Sequence, residues 1–218
     1  MIRTWAANIK PLLEESCYRT YYLQVPKFRQ QKADALKQQQ KKAQSIGAWI
    51  VYMRMKEFYG FTEDAVHNLS HSGDYVLCSV CTDEPEGVQG SPQVRVGCDV
   101  EEIRKGNLKL AKHFFCESEI QVLVEERDEE KQKTLFYRFW VLKESFMKAT
   151  RKGMGLALHA FEIRLGEPSV LVKQPDTFPE VYHYMEGTLG DGAYRVAVCS
   201  TDPKMDLTIR ELPLGSDC

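Results

Sequence analysis

Asp99 and Glu101 stand two residues apart in Val96-Gly-Cys-Asp-Val-Glu-Glu-Ile103. Successive side chains along a strand alternate, so both carboxylates point to one side while Cys98 and Val100 point to the other, into a core. Neighbouring carboxylates repel, and a divalent cation resolves the conflict. Hard oxygen donors suit Mg²⁺, with Mn²⁺ second; Mg²⁺ takes one or two carboxylates plus waters and substrate phosphates. Gly97 lets another backbone or a ligand come close. An exposed acidic strand end would carry the same D-x-E pattern.

Glu144 and Lys148 lie in Phe139-Trp-Val-Leu-Lys-Glu-Ser-Phe-Met-Lys148. At helical spacing Leu135, Phe139, Leu142, Phe146 and Ala149 form one apolar stripe that faces the core. Tyr137, Val141, Glu144, Lys148 and Arg151 form a second, about 120–140° round the helix. Glu144 and Lys148 therefore sit one turn apart, and alone they read as an ordinary surface ion pair. The third group is Asn68-Leu-Ser-His-Ser-Gly73. A histidine between serines in a glycine-ended turn offers donors to a phosphate, or equally to its own backbone.

The elements that must position these groups follow from periodicity. Strands are expected over 2–9, Tyr75–Cys81, Val94–Ile103, Ala160–Leu165, Val170–Lys173, Val181–Glu186 and Tyr194–Thr201. A long helix is expected over Gln31–Lys56 and another over Lys131–Lys152, led by Asp128–Glu130 and ended by Gly153 and Gly155. Short helices are expected over Leu108–Phe115 and after a capping box of Ser118 with Gln121. Asn68–Gly73 reads as a turn and Asp83–Pro92 as a loop or linker. Ser72-Gly-Asp-Tyr-Val-Leu-Cys78 is echoed by Gly190-Asp-Gly-Ala-Tyr-Arg-Val-Ala-Val-Cys199. The class is therefore α+β, with a boundary near 85–96 and either a duplication or two unrelated halves.

The chain has 218 residues, 43% hydrophobic and 28% charged, with 29 basic and 31 acidic residues for a net charge of −2. That length buries a sizeable core. The balance gives no electrostatic reason to expect nucleic acid or an anionic membrane as partner. Neither a membrane-spanning run nor a signal-peptide pattern is found, so a cytoplasmic location is expected. The seven scattered cysteines read as small buried hydrophobes of a reducing compartment. Cys78-x-x-Cys81 lacks a second pair at zinc spacing.

Together, N-L-S-H-S-G, G-C-D-V-E and F-W-x-x-K-E-S-F-x-K followed by K-G-x-G-L resemble, in order and spacing, the signature blocks of the surfactin-synthetase-type 4′-phosphopantetheinyl transferases. The likeness runs from about Asn68 to Cys199 and includes Ala111-Lys-His-Phe-Phe115 and Ser118-Glu119. It implies a monomeric pseudo-dimer of two similar α+β halves, 1–95 and 96–218, each a small antiparallel sheet on a long helix, with coenzyme A in the cleft. It implies Asp99, Glu101 and Glu144 as Mg²⁺ ligands in the second half. His71 would meet a phosphate, with Asn68 and Ser70 beside it, and Lys148 would stabilise charge. The implied reaction moves 4′-phosphopantetheine from coenzyme A to a serine of an apo acyl or peptidyl carrier protein, releasing 3′,5′-ADP. Glu144 is the implied base, with Glu101 acting through a water as its rival. Two departures stand out. A Gly-Lys-Pro segment common before the N-x-S-H block is missing from Tyr59–His67, and Gln44 stands where an arginine is usual. Arg29, Lys32, Lys41 and Lys42 are the nearby cations that could hold the nucleotide instead. A non-catalytic coenzyme A or carrier-binding module and a Mg²⁺-dependent phosphohydrolase are the competing expectations.

Overall fold

A computed structural model describes residues 1–83, 94–104, 108–216 and 218. The predicted loop over Asp83–Pro92 lies, beyond Asp83, outside the described residues. The structure is mixed α+β, and its layers follow from strand alternation. β1 (Ile2–Asn8), β2 (His67–Ser72) and β3 (Tyr75–Cys81) join a late strand, β9 (Met205–Glu211), in one sheet of order β2-β3-β1-β9. β4 (Val96–Glu102), β7 (His183–Leu189) and β8 (Tyr194–Ser200) form a second antiparallel sheet of order β4-β8-β7. A separate ribbon pairs β5 (Glu162–Arg164) with β6 (Val170–Lys173).

β3 is buried along its whole length because it is covered on both faces. Val76, Cys78 and Val80 join the core beneath α3 (Gln39–Tyr59), with Ala43, Ile46 and Ile50. Tyr75, Leu77 and Cys81 face the other way, onto Val96, Cys98, Val100, Val196 and Val198 of the second sheet. On that sheet's far side Ala197 and Cys199 meet Val141, Leu142 and Phe146 of α6 (Glu129–Thr150). The order through the molecule is thus α3, first sheet, second sheet, α6. The order strand, long helix, hairpin occurs twice, in β1–α3–β2–β3 and, with the β5–β6 ribbon between helix and hairpin, in β4–α6–β7–β8. β9 crosses back to pair in parallel with β1.

Gly97 is required by the closeness of α6: a Cβ there would lie 2.1 Å from the Ser145 carbonyl oxygen and 2.3 Å from the Ala149 nitrogen. These are backbone atoms, so no rotamer change relieves the clash, and the close approach expected from the sequence is real. Asp128 caps α6 by accepting from the Glu130 and Lys131 amides. Arg151, in the left-handed region at φ 56°, closes it ahead of the glycines.

Several expectations are corrected. The Gln31–Lys56 helix is two: α2 (Lys27–Asp34) and α3, broken at 35–38. The break folds α2 back against α3, setting Phe28 edge-on to Trp49 at 5.2 Å. Asn68–Gly73 is largely strand β2, not a turn, because its polar side chains are used at a seam between sheets. The capping box of α5 (Glu117–Glu125) belongs to Cys116 and Glu119, not Ser118 and Gln121. A helix α1 (Glu15–Gln24) and β9 were not foreseen; α4 (Leu108–Phe114) was. Cys17 and Cys218 are joined in a disulfide, contrary to the all-reduced expectation, whereas Cys78 and Cys81 are free and buried. No helix among the described residues is long and apolar enough to cross a membrane.

Candidate functional site

β2 is the edge of the first sheet and β4 the edge of the second. An edge strand presents unpaired amides, and β2 meets those of β4 with side chains. Asn68 Oδ1 accepts from the Cys98 amide at 3.0 Å, Ser70 Oγ from Val100 at 3.4 Å and Ser72 Oγ from Glu102 at 3.2 Å. Each acceptor lies two residues beyond the last, the period of one strand face. This side-chain ladder joins the two sheets and places β2 beside the carboxylates of β4.

Asp99 and Glu101 face α6, as their alternation requires. Ser70 Oγ donates to Asp99 Oδ1 at 2.9 Å and Ser72 Oγ to Glu101 Oε2 at 2.6 Å. From α6, Lys148 Nζ donates to Asp99 Oδ1 at 2.6 Å and to Ser70 Oγ at 2.8 Å. Asp99 is only 3% exposed. Its second oxygen, Oδ2, is buried with no partner among the described residues. Glu144, one turn before Lys148, makes no hydrogen bond or ion pair with another described residue.

The electrostatics show the cluster to be crowded with negative charge. Burial pushes the Asp99 carboxyl above its ordinary range, against the pull of Lys148. Burial also raises Glu101, against the Ser72 bond and with the help of Asp99. Glu144 is raised by burial, then by the charges of Asp99 and Glu101. Burial acts to lower Lys148, but Asp99 and further negative neighbours outweigh it and hold the ammonium above its ordinary value. His71, exposed on the outer face of β2, is lowered first by the desolvation of its ring and then by Lys41 and Lys148, with Lys32 adding to them.

No three His, Cys, Asp or Glu side chains among the described residues form a ready-made metal cage. Mg²⁺ does not need one, because it keeps waters and shares substrate phosphates. An orphaned buried carboxylate oxygen costs free energy unless something meets it. Asp99 Oδ2, together with carboxylates that raise one another, fits a hard divalent cation.

The structure thus brings Asp99, Glu101, Glu144, Lys148, Ser70 and His71 to one seam. Asn68 lies there too, but its amide oxygen is spent on Cys98. Lys32 reaches His71 by charge. Arg29 instead lies 4.2 Å over the Trp49 ring. Lys41, rather than Lys42, is the second helix lysine whose charge is felt at His71. Ser72 was not singled out from sequence; reading 67–72 as a strand would have placed it on the Ser70 face.

The fold and site define a two-sheet α+β protein with an acidic, lysine-bridged centre where its two main sheets meet. The model described as ACPS: 4′-phosphopantetheinyl transferase superfamily matches residues 95–199. That match covers a little under half of the chain and is a similarity to this superfamily through that region. It is 33% identical over 141 residues to the 4′-phosphopantetheinyl transferase Sfp of Bacillus subtilis, covering 64% of this chain and 57% of that protein. It is 36% identical over 137 residues to the 4′-phosphopantetheinyl transferase psf-1 of Bacillus pumilus, covering 62% of this chain and 53% of that protein. The chain therefore spans little more than half the length of these relatives. The crystal structure of Thermotoga maritima holo-[acyl-carrier-protein] synthase superposes with a TM-score of 0.43 at 23% identity, covering 50% of this chain and 63% of that one.

Proposed function

We propose that this chain transfers 4′-phosphopantetheine from coenzyme A to a serine of an apo acyl or peptidyl carrier protein, with Mg²⁺ at the seam. The observation that carries the reading is the convergence of Asp99 and Glu101 from β4 with Glu144 and Lys148 from α6, around a buried carboxylate oxygen that has no partner among the described residues. The superfamily match over the same stretch supports it.

Asp99, Glu101 and Glu144 would hold the cation, which when bound offsets the negative charge of the diphosphate and its leaving group. Lys148 supplies a fixed positive charge at the same place and, with His71, binds phosphate oxygens. The carrier serine oxygen forms the new P–O bond to the phosphate that bears pantetheine. The bond from that phosphate to the departing 3′,5′-ADP breaks. The serine proton passes to a carboxylate. Glu144, raised and without a hydrogen bond among the described residues, is the first choice, and Glu101 through a water the second. Ser70 keeps Lys148 and Asp99 in register.

The matched connectivity of β1–α3–β2–β3 and β4–α6–β7–β8 supports a monomeric pseudo-dimer of halves 1–95 and 96–218, with β9 lent to the first sheet. We place its work in the cytoplasm. The test is mass spectrometry of a panel of apo carriers incubated with the chain, coenzyme A and Mg²⁺. A phosphopantetheine gain on one carrier, abolished by a chelator, is expected. No gain on any carrier would overturn the reading, and 3′,5′-ADP release without a carrier at a similar rate would favour a phosphohydrolase.

A further inference from the structure

The seam uses one edge of each main sheet. The other two edges, β7 and β9, border a cavity of about 930 Å³. Six successive residues of β7, from His183 to Thr188, line it. Side chains alternate along a strand, so it is the edge of a strand that presents successive residues to one space. β7 ends its sheet, with β8 as its one hydrogen-bonded neighbour strand among the described residues. Its outward amides and carbonyls therefore join no ladder. Such an edge is commonly blunted by an outward charge or a proline. β7 holds no proline. Its one acid, Glu186, is bound by Arg138 at 2.6 Å and by Ser169 at 2.6 Å.

The two walls of this groove are unlike. Tyr184, Glu186 and Thr188 share the face of β7 that meets α6, and Arg195 of β8 lies directly across from Thr188. The lining acids Glu167 and Glu186 both act on Arg138. Arg195 makes no hydrogen bond or ion pair with another described residue, and its Nε is buried. Burial holds its guanidinium below the ordinary range; Arg138 adds to this and Glu186 opposes it. A carboxylate entering here meets a cation that has none of its own. On the other face Met185 packs with Met205, and a Cβ on Gly187 would lie 2.6 Å from Ile209 of β9. The register of β9 on β1 shifts after Met205. Such an irregularity re-aims side chains, and Leu207, within the shifted stretch, lines the groove at 79% exposure. This wall is apolar.

We propose that the β7 edge docks an extended protein segment as an added strand, with apolar side chains toward Met205 and Leu207 alternating with a carboxylate toward Arg195. The six lining residues of β7 span about 20 Å of strand, so the docked segment is short. Ladder hydrogen bonds supply its affinity, and the two unlike walls fix its register. A second copy of this chain brings no free acid through its own β7, because Glu186 is already bound. The groove lies at the opposite edge of the β4-β8-β7 sheet from Asp99 and Glu101, and it stands or falls apart from the transferase reading.

Fluorescence anisotropy of the full chain with a labelled hexapeptide alternating valine and aspartate tests it. A peptide alternating valine and lysine and a backbone N-methylated valine–aspartate peptide are measured beside it. The valine–aspartate peptide is expected to bind, and the other two at least about tenfold more weakly. Arg195→Gln and Leu207→Glu, each checked for native melting, should weaken its binding by a similar factor. Leu207→Glu, at an exposed position, serves alone if Arg195→Gln does not fold. No binding to the wild-type chain at millimolar peptide overturns the site. Equal binding of the lysine or N-methylated peptide, or binding unchanged in the variants, overturns it too. So does self-association in sedimentation that Leu207→Glu abolishes, because a second copy would then be the occupant.

Discussion

Two lysines five residues apart on α6 end on buried carboxylates, and the difference between them separates structure from function. Lys143 is fully buried, paired with Glu119 Oε2 at 2.9 Å and donating to the Leu158 and Phe161 carbonyls at 2.9 and 2.8 Å. It also lies 4.5 Å over the Phe161 ring. Glu119 in turn accepts from the Cys116 and Ile163 amides, both at 2.8 Å. Every hydrogen-bonding group of that pair is met, and the pair ties the α5 cap and the 158–163 strap to α6. Lys148 with Asp99 is an open pair. One carboxylate oxygen has no partner among the described residues, and two further carboxylates crowd it. A closed buried pair holds a fold together, whereas an open one is poised for a missing ligand.

The comparison can be broken at its strongest point first. Lys143→Met strands Glu119 and should cost about 3–5 kcal/mol in denaturant unfolding. Adding Glu119→Leu should recover part of that loss, since removing both charges leaves neither unpaired. A loss under about 1 kcal/mol would show that the closed pair is not structural. Asp99→Asn and Glu144→Gln should instead leave folding intact and slow carrier modification at least about a hundredfold. Near-native rates in either variant would remove that residue from the site. Gly97→Ala, which drives a methyl into the α6 backbone at 2.1 Å, should cost about 1–3 kcal/mol or more and shift the midpoint of thermal unfolding down.

The smallest effect is a pH dependence of stability in chelator-treated protein. The folded chain raises the pKa of Glu144 above its unfolded value. Its protonated form is therefore favoured on folding, so the stabilising contribution is full at low pH and is lost as pH rises through the folded pKa. Glu144→Gln should thus melt higher than wild type near neutral pH. The gap should close as pH falls toward the ordinary carboxylate range, and a gap that widens on acidification contradicts the crowding of the three acids.

Much of the site was legible because its signals are local. Period-2 alternation put Asp99 and Glu101 on one side and Cys98 and Val100 in the core. Helical spacing set Glu144 and Lys148 on one stripe of α6, and β3 was bounded correctly from its apolar run. Other features had no local signal. Asn68, Ser70 and Ser72 read as a turn because polar strands are rare, and only a second edge strand gives those side chains their partners. Gln31–Lys56 read as one helix because nothing in its Lys/Gln-rich start marks the fold-back that lays Phe28 on Trp49. β9 pairs with a strand at the opposite end of the chain, where no periodicity shows it.

The sequence by itself determined the chemistry available: carboxylates paired at strand spacing, an acid and a lysine one helical turn apart, and a Ser-His-Ser segment rich in hydrogen-bond donors. Those spacings follow from backbone geometry, which a residue carries wherever its element lies. Only the tertiary structure decided that the three segments share one seam, that Lys148 and not Lys143 is the open lysine, and that α2 folds back against α3. Each of these depends on contacts between residues far apart in the chain, and such contacts are selected by burial of the whole core rather than by any local pattern.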